Sequence, residues 1–385
     1  MKFPENFLWG AASASYQVEG GINNNDWSYE AENGKVPPTD NRVNHYYKYE
    51  KDFELAKQLG HNCQRISIEW SRIEPEEGQF NQREIEHYRK VIRTMKEKGL
   101  EPFVTLWHFT VPIWFYKKNG FLAKDAPEIF ERYCNHVLDQ LHNECTFWDT
   151  INEPNVWASN GYFRGNWPPF KRSLKKFFKA INNQIAAHNL VYKRNKEKYP
   201  LLQIGVVKDN INFNSDKMPW NVVARKVTNY YWNHYFLRRV YKNCDHIGLN
   251  YYFDSIFGKK PKEYKELPKS DMGWTLSPKG IYRVLLDLKK YELPIYITEA
   301  GIADSEDQYR ADYIRDLAQW VHQAIQDGID VRGFMYWSLL DNFEWAKGYE
   351  KEFGLIHVTV DGKRVVRESA YDFQKICESN KLEIE

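Results

Sequence analysis

The chain is poor in cysteine and has no strong excess of either charge. Five cysteines (Cys63, Cys134, Cys145, Cys244 and Cys377) are scattered over 385 residues. The odd count, the wide spacing and the lack of any C-x-x-C argue against a disulfide framework. Buried, reduced thiols in a cytoplasmic protein are the expectation. Lys and Arg number 54 and Asp and Glu 52, a balance of +2, so the chain as a whole offers no electrostatic case for nucleic acid or an anionic membrane. No apolar run approaches the roughly 20 residues of a membrane span. The start, Met1-Lys2-Phe3-Pro4-Glu5-Asn6, lacks the apolar stretch of a signal peptide, and Phe7 to Ala14 already reads as folded core. Several motifs are also missing. No G-x-G-x-x-G follows the first apolar run, and there is no G-x-x-x-x-G-K-[ST], G-x-S-x-G or H-E-x-x-H. No Cys/His cluster occurs, and His108 has no His partner at ligand spacing. Neither a metal nor a cofactor is expected.

Aromatics, by contrast, are abundant: 22 Phe, 26 Tyr and 14 Trp make 16% of the chain, which excludes disorder. Eight short apolar runs recur along the sequence: 8–12, 64–70, 102–107, 148–152, 204–207, 246–250, 295–298 and 333–339. Helical patterns lie between them. Ile85, Tyr88, Ile92 and Met95 share one face, as do Ile281, Leu285 and Leu288. Ser277-Pro278 reads as an N-cap followed by Pro at the first helical position. Gly60, Gly99 and Gly328 each follow a helical pattern and precede an apolar run, the grammar of a left-handed helix end leading into a strand. Continuous apolar strands alternating with helices imply a parallel sheet covered by helices. Eight such units without a composition break favour a single-domain (β/α)₈ TIM barrel over residues 1–385, with a doubly wound open sheet as the alternative. The basic stretch Lys171, Arg172, Lys175, Lys176 and Lys179 is read as a solvated helix face.

Such barrels carry their chemistry at the C-terminal ends of the strands. Polar residues follow most of the runs: Arg65, Ser67 and Glu69 on one parity of the second, His108 after the third, Asn152-Glu153 after the fourth, Asn250-Tyr251-Tyr252 after the sixth, Thr298-Glu299 after the seventh, and Asp341 to Trp345 after the eighth. Glu153 and Glu299 give the sharpest signal. A carboxylate ending an apolar strand faces a desolvation cost unless it is paired or used. Glycoside hydrolysis uses two: one donates a proton, and the other attacks or activates water. The plainer alternative is a carboxylate paired with an Arg at the barrel mouth, for which Arg65 is available. Trp107, Trp157, Trp167, Trp337 and Trp345 offer flat faces to a sugar or simply fill the core.

These residues resemble the family 1 glycoside hydrolases, the β-glucosidase and β-galactosidase family. Phe7-Leu8-Trp9-Gly10-Ala11-Ala12-Ser13-Ala14-Ser15-Tyr16-Gln17-Val18-Glu19-Gly20 is similar to that family's N-terminal signature. Arg65 to Arg72, Thr150 to Pro154, Ile297 to Gly301 and Trp337 to Trp345 resemble four more, in order. The resemblance implies a retaining mechanism with Glu153 as acid/base and Glu299 as nucleophile. It assigns Asn152 to the sugar 2-hydroxyl, and Gln17, His108, Glu344 and Trp345 to the other hydroxyls. Trp337 becomes the stacking platform, and Arg65, Asn250 and Tyr252 the support of the nucleophile. It further implies a small-molecule β-glycoside or oligosaccharide as substrate. Glu344 in place of a small polar residue implies an unphosphorylated glycone. Departures from the pattern are Phe109 for a common Trp, Ala300 for a common Asn, Glu352 for a common basic residue, and a shortened chain. A transglycosidase with the same covalent intermediate and a non-hydrolytic sugar-binding barrel are the rival readings.

Overall fold

A computed structural model describes residues 1–383. Eight parallel strands close into a barrel: β1 (Leu8–Ala12), β2 (Cys63–Ser67), β3 (Glu101–Thr105), β4 (Phe147–Asn152), β5 (Gln203–Asp209), β6 (His246–Tyr251), β7 (Ile295–Ala300) and β8 (Val331–Trp337). Their order around the barrel is their order in the chain, and β1 closes on β8 with Leu8 opposite Gly333 and Ala12 opposite Trp337. The principal helices are α1 (His45–Gln58), α2 (Gln82–Glu97), α3 (Ala126–Leu141), α4 (Leu174–Lys198), α5 (Pro219–Asn229), α6 (Lys279–Leu288), α7 (Arg310–Gln326) and α8 (Glu368–Ser379). Helix α2 buries Ile85, Tyr88, Val91, Ile92 and Met95, and α6 buries Ile281, Val284, Leu285 and Leu288. Gly60, Gly99 and Gly328 take φ of 72°, 73° and 76°, the left-handed turn that lets each helix run straight into the next strand. The five cysteines are buried and free.

Two local expectations are corrected. The second strand stops at Ser67, and Trp70–Ile73 turns into a short helix, so Glu69 leaves the barrel wall. It accepts instead from the hydroxyls of Ser15 (3.0 Å), Ser71 (2.6 Å) and Thr110 (2.9 Å), which clamps together the loops after β1, β2 and β3. Ser277 does not cap α6 with its side chain. Its carbonyl accepts from Gly280 N at 3.0 Å, and Pro278 stands at the cap position.

The barrel interior is graded along its axis. Cys63, Phe103, Tyr296 and Met335 plug the N-terminal end. Above them comes a polar layer in which His246 Nε2 meets Asp149 Oδ1 at 3.0 Å. Gly205 makes room for that ring: a Cβ there would lie 2.4 Å from His246 Nε2. Buried charge is tolerable only when paired, and Arg65, next toward the mouth, supplies the cation.

Candidate active site

Arg65 points up from β2 and is 1% exposed. Its Nη1 donates to Glu299 Oε1 at 2.5 Å, its Nη2 to Asn152 Oδ1 at 2.8 Å and its Nε to Thr105 Oγ1 at 3.1 Å. One rigid guanidinium thus ties the ends of β3, β4 and β7 together. Tyr252 donates from its hydroxyl to the other oxygen of Glu299 at 2.6 Å. Both oxygens of Glu299 are therefore held, one by a cation and one by a phenol. The pairing of Glu299 with Arg65 and a position at the mouth are realised together, so the structural and the chemical alternatives do not exclude one another here.

Glu153 lies across the mouth at the end of β4. Its backbone is left-handed, φ 43° and ψ 60°, a conformation that costs a non-glycine residue about 1–2 kcal/mol. The surroundings enforce it: Glu153 N donates to Val207 O on β5 at 2.9 Å, and Pro154 starts the short helix that follows. Phe109 (φ 75°) and Trp345 (φ 49°), also at the mouth, share this region, and such strain collects where side chains are aimed for use. Asn250 Nδ2 donates to Glu153 Oε1 at 2.8 Å, and Asn250 Oδ1 is fixed by the Thr298 hydroxyl at 2.8 Å. Burial, then the charge of Glu299, then that of Asp209 push the Glu153 carboxyl well above the usual range, against the smaller pull of the Asn250 donor.

The remaining predicted residues surround this pair. Gln17 Nε2 donates to Asn342 Oδ1 at 2.9 Å and to Phe343 O at 2.8 Å, while its Oε1 has no protein partner. His108 lies against Asn152 Nδ2 at 3.3 Å through Nε2, and its Nδ1 is likewise unpartnered. Burial, with Arg65 close by, pushes His108 well below its ordinary value, so it is neutral. The rings of Trp337 and Trp345 lie nearly parallel to His108, at 6.0 and 6.2 Å. Phe109 packs its ring against Trp345 at 5.1 Å and Trp167 at 5.2 Å. Ala300 closes β7, fully buried. Glu344 is half-buried, with Gln17 Nε2 at 3.5 Å from its Oε2, and burial together with the Glu299 charge pushes it up to about 8. Trp107 and Trp157 are core.

Asp341, Glu352 and His357 gather three potential ligand atoms. The Arg367 guanidinium stands among them, reaching Asp341 at 2.9 and 3.0 Å and pairing with Glu352. Asp341 also accepts from Gly354 N at 2.8 Å. The cluster carries its own cation and pins the loop that carries Glu344 and Trp345. Glu352, the acidic departure from the family pattern, is one of its posts.

The sequence reading passed over the end of β5. Lys208 and Asp209 are buried there, Asp209 accepts from Trp232 Nε1 at 3.1 Å, and both act on Glu153. Asp209 is raised to about 6 by burial, and Lys208 is lowered to about 8 by burial. The rule that found the other sites, polar residues just past an apolar run, also applies to Lys208-Asp209-Asn210.

The chain matches the family described as Glycosyl hydrolase family 1 over residues 1–244 and 221–382. Beta-glucosidase A of Thermotoga maritima is 33% identical over 99% of both chains. A beta-galactosidase of Pyrococcus woesei is 30% identical over 98% of this chain and 97% of its own length. Among solved structures, a beta-glycosidase from Pyrococcus horikoshii superposes with a TM-score of 0.93 at 36% identity, covering 100% of this chain and 96% of that one.

Proposed function

Because the chain belongs to glycosyl hydrolase family 1 and is a glycoside hydrolase of the β-glucosidase type, we propose that it cleaves terminal, unphosphorylated β-glucosides with retention. β-Galactosides and β-fucosides are further substrates, and residues 1–385 act as one catalytic domain. The observation that carries this reading is the pair of carboxyls in one buried network. Glu299 is bound through both oxygens by Arg65 and Tyr252, and Glu153 is pushed upward by burial and by Glu299. Two carboxyls in environments of opposite character are what acid and nucleophile require.

In this mechanism the glycone stacks on Trp337, and its hydroxyls take the open valences of Gln17 Oε1 and His108 Nδ1. Glu344 and Trp345 serve the remaining hydroxyls. Asn152, already fixed by Arg65, contacts the 2-hydroxyl, where hydrogen bonds strengthen in the transition state. Glu153 protonates the glycosidic oxygen while Glu299 attacks the anomeric carbon. The aglycone leaves, and Glu153, now a carboxylate, takes a proton from the water that releases the sugar from Glu299. The neutral Glu344 carboxyl donates to and accepts from a hydroxyl below pH about 8. Repulsion of a 6-phosphate by its charge therefore sharpens as pH rises through that value.

Azide rescue with an activated aryl β-glucoside tests the roles. Glu153→Ala slows breakdown of the glycosyl-enzyme most, and azide, which needs no base, restores turnover and gives the β-glycosyl azide. Glu299→Ala loses both steps, and azide gives the α-azide by single displacement. Proton NMR of the product reads the anomer. The reverse pattern means that the two roles are exchanged, and no effect of either substitution places the chemistry elsewhere.

A further inference from the structure

The near-neutral balance of +2 conceals a segregation of charge. Residues 155–196 and 217–244 hold fifteen of the 54 Lys and Arg and none of the 52 Asp and Glu. The rest of the chain therefore has thirteen more acids than bases. The two segments pack together: Phe178 lies 5.7 Å from Tyr231 and 5.4 Å from Tyr235, and Asn189 Nδ2 donates to Arg239 O at 3.3 Å. At the far end of the first segment Arg194 and Lys196 pair with Glu131 and Asp245. Lys171, Lys175, Lys176, Lys179 and Lys226 stand exposed, with no carboxylate partner among the described residues.

Between these cations lies apolar surface. Helix α5 buries no side chain. Trp220, Val223, Val227 and Tyr231 recur at the spacing of one helical face and are 66%, 59%, 50% and 46% exposed. Leu174 and Phe163 continue the apolar area onto the first segment, where Phe163 meets Phe177 at 6.3 Å. A soluble surface does not ordinarily leave an aromatic and aliphatic stripe of this kind uncovered.

We propose that this face seats the enzyme on a lipid bilayer bearing anionic headgroups. A helix lying in the interface buries Trp and aliphatic side chains at the acyl boundary while flanking Lys and Arg meet the headgroups. Each alternative leaves part of the surface unused. Phosphate backbones would take up the lysines but leave Val223 and Val227 without a partner. A second copy docked through the same face would set one net basic surface against another, a like-charge contact. No helix among the described residues is long and apolar enough to cross a membrane, so the attachment is peripheral. The face borders the barrel mouth: Trp232, one residue past Tyr231, donates to Asp209, and Trp167 packs on Trp345 at 5.5 Å.

The test is co-sedimentation of the full chain with vesicles of phosphatidylcholine, alone or mixed with phosphatidylserine. The protein should pellet with the mixed vesicles and not with phosphatidylcholine alone, and added salt should release it. Each neutralised lysine should weaken binding about fivefold, so K175Q/K176Q should lose about twenty-five-fold. W220S/V223S should weaken binding without changing its salt dependence. Near-ultraviolet circular dichroism and melting temperature check that both variants fold. Absence of binding to mixed vesicles, equal binding to both vesicle types, or undiminished binding by the two variants overturns the proposal. Tight binding to heparin or duplex DNA without vesicle binding overturns it in favour of a polyanion. Dimerisation in sedimentation equilibrium that W220S abolishes overturns it in favour of a self-interface. The readout does not involve hydrolysis, so its failure and that of the catalytic assignment are distinct.

Discussion

Replacing Asp209 by Asn probes how the acid is kept protonated. The Cα of Asp209 lies opposite that of Asn250, one strand spacing of about 4.8 Å away, and the Asn250 side chain reaches Glu153 Oε1 at 2.8 Å. The Asp209 charge raises Glu153, and two unit charges about 7 Å apart at an effective dielectric near 20 repel by about 2.4 kcal/mol, or nearly two pH units, which bounds the effect. Lys208 beside Asp209 cancels part of this, leaving about one unit. The sign follows from the titration of Asp209 at about 6. Above that pH it is charged and disfavours the Glu153 carboxylate. In Asp209→Asn Glu153 ionises earlier, and the basic limb of kcat/KM for an aryl β-glucoside moves down by about one unit. The acid limb should stay within a few tenths of a unit, as expected for a change that acts on the raised group of a coupled pair. A basic limb that is unmoved, or moved upward, refutes the electrostatic account. So does an equal displacement in a Glu153→Gln background, because the limb would then belong to another group.

Three further outcomes follow from the geometry. Tyr252→Phe removes a 2.6 Å donor from a buried carboxylate; the loss of about 1.5–3 kcal/mol should lower kcat/KM by about 10- to 150-fold with little change in melting temperature, and unchanged kinetics would remove Tyr252 from the site. Glu344→Gln should stabilise the protein progressively as pH rises. The folded carboxyl is raised from 4.5 to about 8, so the wild type loses stability across that window while the amide does not, and calorimetry should show a gap between the two that opens across it and levels off above. A gap that is constant with pH would contradict this. Gly205→Ala drives a Cβ to 2.4 Å from His246 Nε2 and should cost about 1–3 kcal/mol in denaturant unfolding; an unchanged midpoint would mean that the ring has another place to go.

Local chemistry determined much of this protein. The eight strands stand where the eight apolar runs are, because strands covered on both faces must be apolar throughout. The helix ends at Gly60, Gly99 and Gly328 follow from one residue's freedom at positive φ. Glu153 and Glu299 stood out because a carboxylate at the end of such a strand must be either paired or used. Partnership was a matter of the tertiary structure alone. Arg65 meets Glu299 across 234 positions of sequence, and no periodicity encodes which of two carboxylates a buried cation will reach. Glu69 became a clamp for three loops because the chain turned at Ser67 to meet donors from distant segments. Glu344 is raised to about 8 by burial and by the Glu299 charge, an effect of its neighbours and not of the residue itself. The same holds for charge on the surface. Both acid-free segments can be read off the sequence, but only their packing through Phe178 and Tyr231 joins them into one face, because charges act through space and the net charge sums over all of it.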